Sequence, residues 1–149
     1  MSYKGKFTPK NPNKYNGDST KIIYRSLWER RFMVFCDGNP SVLEWSSEEM
    51  FIPYVSPIDN KKHRYFVDFK IKTRNKRGFV ETHLIEIKPK KQCKPPTKSK
   101  RMSKRYITEV QTWGINSAKW EAAKAYADLR GWKFQIITED TLFAGKNNG

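Results

Sequence analysis

The run Arg64-Tyr65-Phe66-Val67-Asp68-Phe69-Lys70-Ile71-Lys72-Thr73 changes character at every residue. Tyr65, Val67, Phe69 and Ile71 fall on one face of an extended chain, and Phe66, Asp68, Lys70 and Lys72 on the other, because successive strand side chains point to opposite sides. Asn75-Lys76-Arg77-Gly78 reads as a turn, with residue types suited to left-handed backbone. Phe79 to Lys88 then reads as a second strand, with Ile85 and Ile87 on one face and Leu84, Glu86 and Lys88 on the other. Two acids stand out in this hairpin. Asp68 lies in an aromatic strand, where Asp is depleted, and Glu86 lies between two isoleucines.

Working outward, Ser26-Leu27-Trp28-Glu29 has the form of a helix start, a Ser followed three residues later by Glu. Leu27, Arg30, Arg31, Val34 and Phe35 continue at helical spacing, and Asp37-Gly38-Asn39-Pro40 stops the helix. Val42 to Trp45 and Met50 to Val55 read as short strands, and Ser56 to Asn60 as a break. On the other side of the hairpin, Ser117 to Leu129 is a helix rich in Ala that ends at Gly131. Trp132 to Thr138 is a last strand, and Thr141 to Phe143 a short helical turn. The order predicts an α/β domain with one mixed central sheet flanked by helices. The expected organisation is a flexible basic arm over residues 1–20, one domain over 21–144 and a disordered tail over 145–149.

The 149 residues carry 30 Lys plus Arg against 15 Asp plus Glu, a net charge of +15. Residues 1 to 105 hold 25 basic and 10 acidic residues, whereas 106 to 149 hold five of each. Such a concentrated excess suits a binding surface for an anionic partner, nucleic acid foremost. A virion-like structural role and an acidic protein partner are the weaker alternatives. Lys4, Lys6, Lys10 and Lys14 form one run. The other, Lys88 to Arg105, has nine basic residues and no acid, with Pro89, Pro95 and Pro96 arguing against a helix through its first half. It reads as a loop whose Lys90, Lys91, Lys94, Lys98, Lys100, Arg101, Lys104 and Arg105 can track a phosphate backbone. Asn116 and Lys119 follow at the expected helix start, where anions are favoured. No segment approaches the roughly 20 apolar residues of a membrane helix. Cys36 and Cys93 with His63 and His83 are spaced too irregularly for a zinc site. No small-molecule substrate is indicated.

The hairpin brings Asp68 beside Glu86. Two carboxylates held close repel unless a cation lies between them, and an oxygen-only donor set suits Mg²⁺, with Mn²⁺ able to substitute. Such a metal, with Lys88 on the same side as Glu86, supplies the parts that phosphodiester hydrolysis needs. Asp68 followed 18 residues later by Glu86-Ile87-Lys88 resembles the D…(D/E)-X-K signature of the restriction-endonuclease-like, or PD-(D/E)XK, nucleases. Glu29 matches a further acid that the first helix of that superfamily often carries. The usual Pro before the Asp is replaced by Val67. Arg25 to Glu29, Tyr65 to Phe69 and Leu84 to Lys88 resemble the endonuclease subunits of heteromeric bacterial transposases. Asn116 to Trp120 and Trp132 to Glu139 are similar to the head completion nucleases of T-even-type tailed phages. The resemblance spans about residues 20 to 143.

It implies a restriction-endonuclease-like core and a Mg²⁺-dependent endonuclease acting on double-stranded DNA. Asp68, Glu86 and Glu29 would hold one or two metal ions, and Lys88 would position or activate the attacking water. It further implies work on packaged DNA in head completion, in the host cytoplasm during assembly or in the virion, with portal or head-vertex proteins as partners. Two other functions stay open: a non-catalytic DNA-binding protein of the virion or head vertex, and a nuclease active only with a partner subunit. Simpler roles stand beside each site residue. Glu29 also completes a capping box with Ser26, Asp68 also fits a hydrogen-bonded structural acid, and Glu86 with Lys88 also fits a plain same-face ion pair.

Overall fold

The computed structural model describes residues 3–98 and 100–144. Its centre is a four-stranded mixed sheet in the order β3 (Val42–Ser47), β6 (Phe69–Arg74), β7 (Val80–Ile87) and β8 (Lys133–Ile137). The first three strands run antiparallel, while β8 lies parallel to β7. A parallel neighbour needs a long crossover, and α2 (Lys104–Arg130) provides it. Two smaller ladders flank the sheet: β1 (Gly5–Lys6) with β2 (Ile23–Tyr24), and β4 (Phe51–Val55) with β5 (Lys62–Phe66). At Gly5 a Cβ would crowd the tip of the Tyr24 side chain on the facing strand.

The alternating run is therefore not one strand. It bends at Val67 and Asp68, so that β5 pairs with β4 while β6 enters the central sheet. The bend also moves residues of the same parity into different cores. Tyr65 and Val67 pack with Ile52, Leu84, Ala123 and Ala127 under α2. Phe69 and Ile71 pack with Phe32, Met33, Trp45 and Ile85 under α1 (Leu27–Gly38). Alternation in the sequence reports burial, and here two opposite layers supply it.

Ser26 caps α1, its hydroxyl accepting the Glu29 N–H at 3.2 Å. The buried stripe of α1 is Phe32, Met33 and Cys36. Leu27, Val34 and Phe35, equally periodic in sequence, lie on the opposite side and stay half-exposed. The long helix corrects the expected boundary at Ser117. Ser103 is its N-cap, accepting the Tyr106 N–H at 3.1 Å, and Gly131 ends it in left-handed backbone at φ 70°. Lys104 and Arg105 thus belong to its first turn, and Asn116 and Lys119 to its middle, away from the favourable field of a helix start. Gly114, which looks like a break in sequence, is interior and faces Pro57. Among the described residues, no helix is long and apolar enough to cross a membrane. The tail over 145–149 lies outside the described residues.

Nor are residues 3–20 a free arm. Phe7 and Tyr15 are buried against Trp45, with T-shaped ring contacts at 5.8 and 4.7 Å. Two aromatic anchors bury enough apolar surface to hold a segment that looks disordered by its Lys, Pro and Asn content. The buried Asp37 carboxylate clips the segment down, accepting the N–H groups of Lys10 and Asn11 at 2.8 and 2.9 Å. Lys14 Nζ donates to the carbonyls of Asp37 and Asn39 at 3.1 and 2.9 Å, closing the C-terminal end of α1. Asp37→Ala should therefore destabilise the protein by about 2–3 kcal/mol, since it orphans two backbone donors held by a charged acceptor. Chemical denaturation measures the loss, and hydrogen exchange should show Lys10 and Asn11 opening first.

Candidate active site

The bend that ends β5 places Asp68 at the entrance of β6. The β6–β7 register pairs Phe69 with Ile85, so the next step outward sets Asp68 opposite Glu86. The main-chain N–H of Ile87 donates to Asp68 Oδ2 at 2.8 Å. Glu86 is buried. Its Oε1 lies 3.8 Å from Lys88 Nζ, and its Oε2 accepts the Tyr65 hydroxyl. Lys119, reaching over from α2, stands 5.6 Å from the Tyr65 ring centroid and 5.8 Å from that of Tyr54.

Burial first, then the charge of Glu86, pushes the Asp68 carboxyl well above the usual range. Burial also raises Glu86, against the pull of the Tyr65 hydrogen bond and the charges of Lys88 and Lys119. The Tyr65 phenol is held protonated by burial and by Glu86. Glu29 has two attachments. Its Oε1 accepts the Arg25 N–H at 3.2 Å, a capping box displaced by one residue, while burial, Glu48 and Glu86 raise its carboxyl. Among the described residues, no three His, Cys, Asp or Glu side chains gather into one metal-holding group. The donor set is thus the pair Asp68 and Glu86, with Glu29 in electrostatic reach but tied to the helix cap. Two close carboxylates with raised pKa values, Glu86 buried and Asp68 partly so, are a suitable seat for a hard cation that keeps its own waters and binds substrate phosphate.

Residues 39–139 match the family model described as "TnsA-like endonuclease N terminal". The chain belongs to the TnsA-like endonuclease family. The head completion nuclease of Enterobacteria phage T4 is 45% identical over 148 residues, covering 97% of this chain and 96% of that protein. No solved structure matches the chain significantly. Asp68, Glu86, Lys88 and Lys119 all lie within the family match, and Glu29 lies before it.

The endonuclease presents its expected DNA-binding residues unevenly. Lys90 is bound at the start of α3 (Glu139–Leu142), its ammonium 3.0 Å from Asp140 and its N–H donating to Glu139 at 2.7 Å. Arg105 pairs with Glu109 at 3.1 Å. Lys91, Lys94, Lys98, Lys100, Arg101 and Lys104 are exposed. Lys119 is set apart, half-buried beside the carboxylates rather than on the basic connection.

Two residues at the site escape sequence reasoning. Tyr65, three positions before Asp68, would point away from it in a continuous strand; only the bend turns it to Glu86. Glu48 follows β3 in left-handed backbone at φ 51°, its N–H donating to the Asp68 carbonyl at 3.2 Å. Its carboxylate holds Arg25 Nε at 3.1 and 3.3 Å. The strand pairing that brings it there is invisible in the sequence.

The pKa shifts carry a stability consequence. The native state holds the Asp68–Glu86 protons more tightly than the unfolded chain, whose carboxyls titrate near 4. Stability from this pair is therefore lost as pH rises from about 4 through the raised native values. Asp68→Asn should raise Tm in EDTA at pH 8 by about 2–4 °C for each kcal/mol of relieved repulsion. The gain should shrink as pH falls through the native-state titration. A pH series of thermal melts checks both.

Proposed function

We propose that this endonuclease is a Mg²⁺-dependent DNA phosphodiesterase acting in phage head completion. The observation that carries the reading is Asp68 set beside the buried Glu86, with Lys88 Nζ 3.8 Å from Glu86. A plain same-face ion pair would not place a second carboxylate beside the first.

Asp68 and Glu86 would hold the metal, and Mn²⁺ would substitute for it. When bound, Mg²⁺ supplies polarisation of the phosphoryl oxygen and a lowered pKa for a coordinated water. Asp68 spends Oδ2 on the Ile87 N–H, which fixes its carboxylate. Tyr65 does the same for Glu86 through Oε2. Lys88, steered by Glu86, stands beside the position of the scissile phosphate and neutralises charge that develops there. Lys119 adds a second cation on the opposite wall. Glu29 tunes the cluster by its charge while its carboxylate holds the Arg25 N–H at the start of α1. The exposed lysines of the basic connection would hold the duplex backbone without reading sequence. The long alignment with the head completion nuclease of phage T4 supports a role on DNA at the head vertex. The corresponding places are the host cytoplasm during assembly and the virion, with portal or vertex proteins as partners.

Supercoiled plasmid incubated with Mg²⁺ or Mn²⁺ should be cut, and EDTA should abolish cutting. Asp68→Ala and Lys88→Ala should each lower the rate by about 10³-fold or more while plasmid binding persists. Normal cutting by Asp68→Ala would refute the assignment. Separately, replacing Lys91, Lys94 and Lys98 by Ala should weaken binding to any duplex. The slope of log K against log salt should fall by about 0.9 for each phosphate that is no longer neutralised, as read by anisotropy across a salt series.

A further inference from the structure

A cavity lies between the basic connection and α2. It measures about 490 Å³, and Gln92, Lys94, Pro95, Pro96, Trp113 and Asn116 line it. That volume falls within the roughly 300–1,000 Å³ of small-ligand pockets.

Asn116 marks it as more than a packing defect. The residue is only 9% exposed, lies mid-helix, and its side chain makes no hydrogen bond among the described residues. The amide is not sealed in the interior but opens on the cavity, where it can meet a ligand. An amide offers two donors and one acceptor, which matches the edge of a nucleobase, adenine best of all. Trp113 lies three residues earlier on the same wall. Its contact with Trp120 is T-shaped, 6.0 Å between centroids and 80° between planes. An edge contact of this kind leaves Trp113 a ring face without a stacked partner. Pro95 and Pro96 add apolar surface suited to a flat guest.

Both walls of the cavity lead along the chain to the proposed catalytic groups. Along α2, Asn116 precedes Lys119 by about 4.5 Å and Trp113 precedes it by about 9 Å, at 1.5 Å per residue. Gln92 and Lys94 follow Lys88 by four and six residues. The lining carries Lys91 and Lys94 against one acid, Glu109, which pairs with Arg105.

We propose that this cavity takes one unpaired nucleobase of the DNA strand beside the scissile phosphate. The proposal rests on the nuclease reading above. A paired base cannot enter, because its edge and both faces are occupied within the duplex; the occupant comes from a single-stranded or locally opened stretch.

Binding measured in EDTA separates this from cleavage. Three labelled DNAs are compared: a blunt duplex, the same duplex with a short deoxyadenosine extension, and that extension made abasic. Wild-type protein should bind the base-bearing extension roughly 5- to 150-fold more tightly than the abasic one. Trp113→Ala should erase the difference and Trp113→Phe should restore most of it. Asn116→Leu should reduce the difference while leaving Tm unchanged or raised. Affinity for the blunt duplex should stay constant in all three variants, which also shows that they fold. Equal binding of base-bearing and abasic extensions by the wild type, a comparison that needs no variant, would overturn the pocket alone. Absence of binding to all three DNAs would overturn the nuclease reading and the pocket with it.

Discussion

The bend at Val67 and Asp68 is the constraint on which the site depends. Three hydrogen-bond donors fix its surroundings: Ile87 N–H on the Asp68 carboxylate, Glu48 N–H on the Asp68 carbonyl, and the Tyr65 hydroxyl on Glu86. Were the chain to continue straight, Tyr65 and Val67 would join Phe69 under α1, and α2 would be deprived of much of what it packs on. With the bend, one segment supplies both cores and sets its single acid where the two layers meet. Two carboxyls are thereby brought together, one of them buried. Uncompensated buried charge is strongly unfavourable, and Lys88 and Lys119 oppose it at Glu86.

The basic excess divides into working and structural charge. Lys14 closes the end of α1, Lys90 and Arg105 are neutralised by acids of the chain itself, and Lys119 stands over the Tyr65 ring. The exposed lysines of the connection into α2, Lys91 to Lys104, are left for a long anionic partner. Placing them directly after Lys88 ties phosphate binding to the reacting groups through one short stretch of chain. The same stretch, folded against α2, encloses the cavity around Trp113 and Asn116.

Much of the fold was legible. The hairpin, α1, the second half of α2, the final strand and the alignment of Asp68 with Glu86 follow from periodicity, turn residues and the spacing of two misplaced acids. The split of Arg64 to Thr73 was not, because alternation looks the same whether one layer or two bury it. Leu27, Val34 and Phe35 mislead for a related reason: the neighbouring stripe of α1, Phe32, Met33 and Cys36, is just as periodic, and only the position of the sheet decides. The first half of α2 was hidden by Gly114 and by β-branched residues whose weak helix preference tertiary packing overrides. The N-terminal segment misleads by composition, since two aromatics and one distant aspartate outweigh its polar content. Tyr65 and Glu48 reach the site through long-range pairing, which no local pattern records.

The central claim is that the Asp68–Glu86 pair exists to seat a divalent cation. Anomalous diffraction from a crystal soaked in Mn²⁺ tests it most directly. A single strong peak between the two carboxylates, absent in Asp68→Ala, is the predicted result. Manganese seated elsewhere, or no bound metal at a concentration that supports cleavage, would contradict the account.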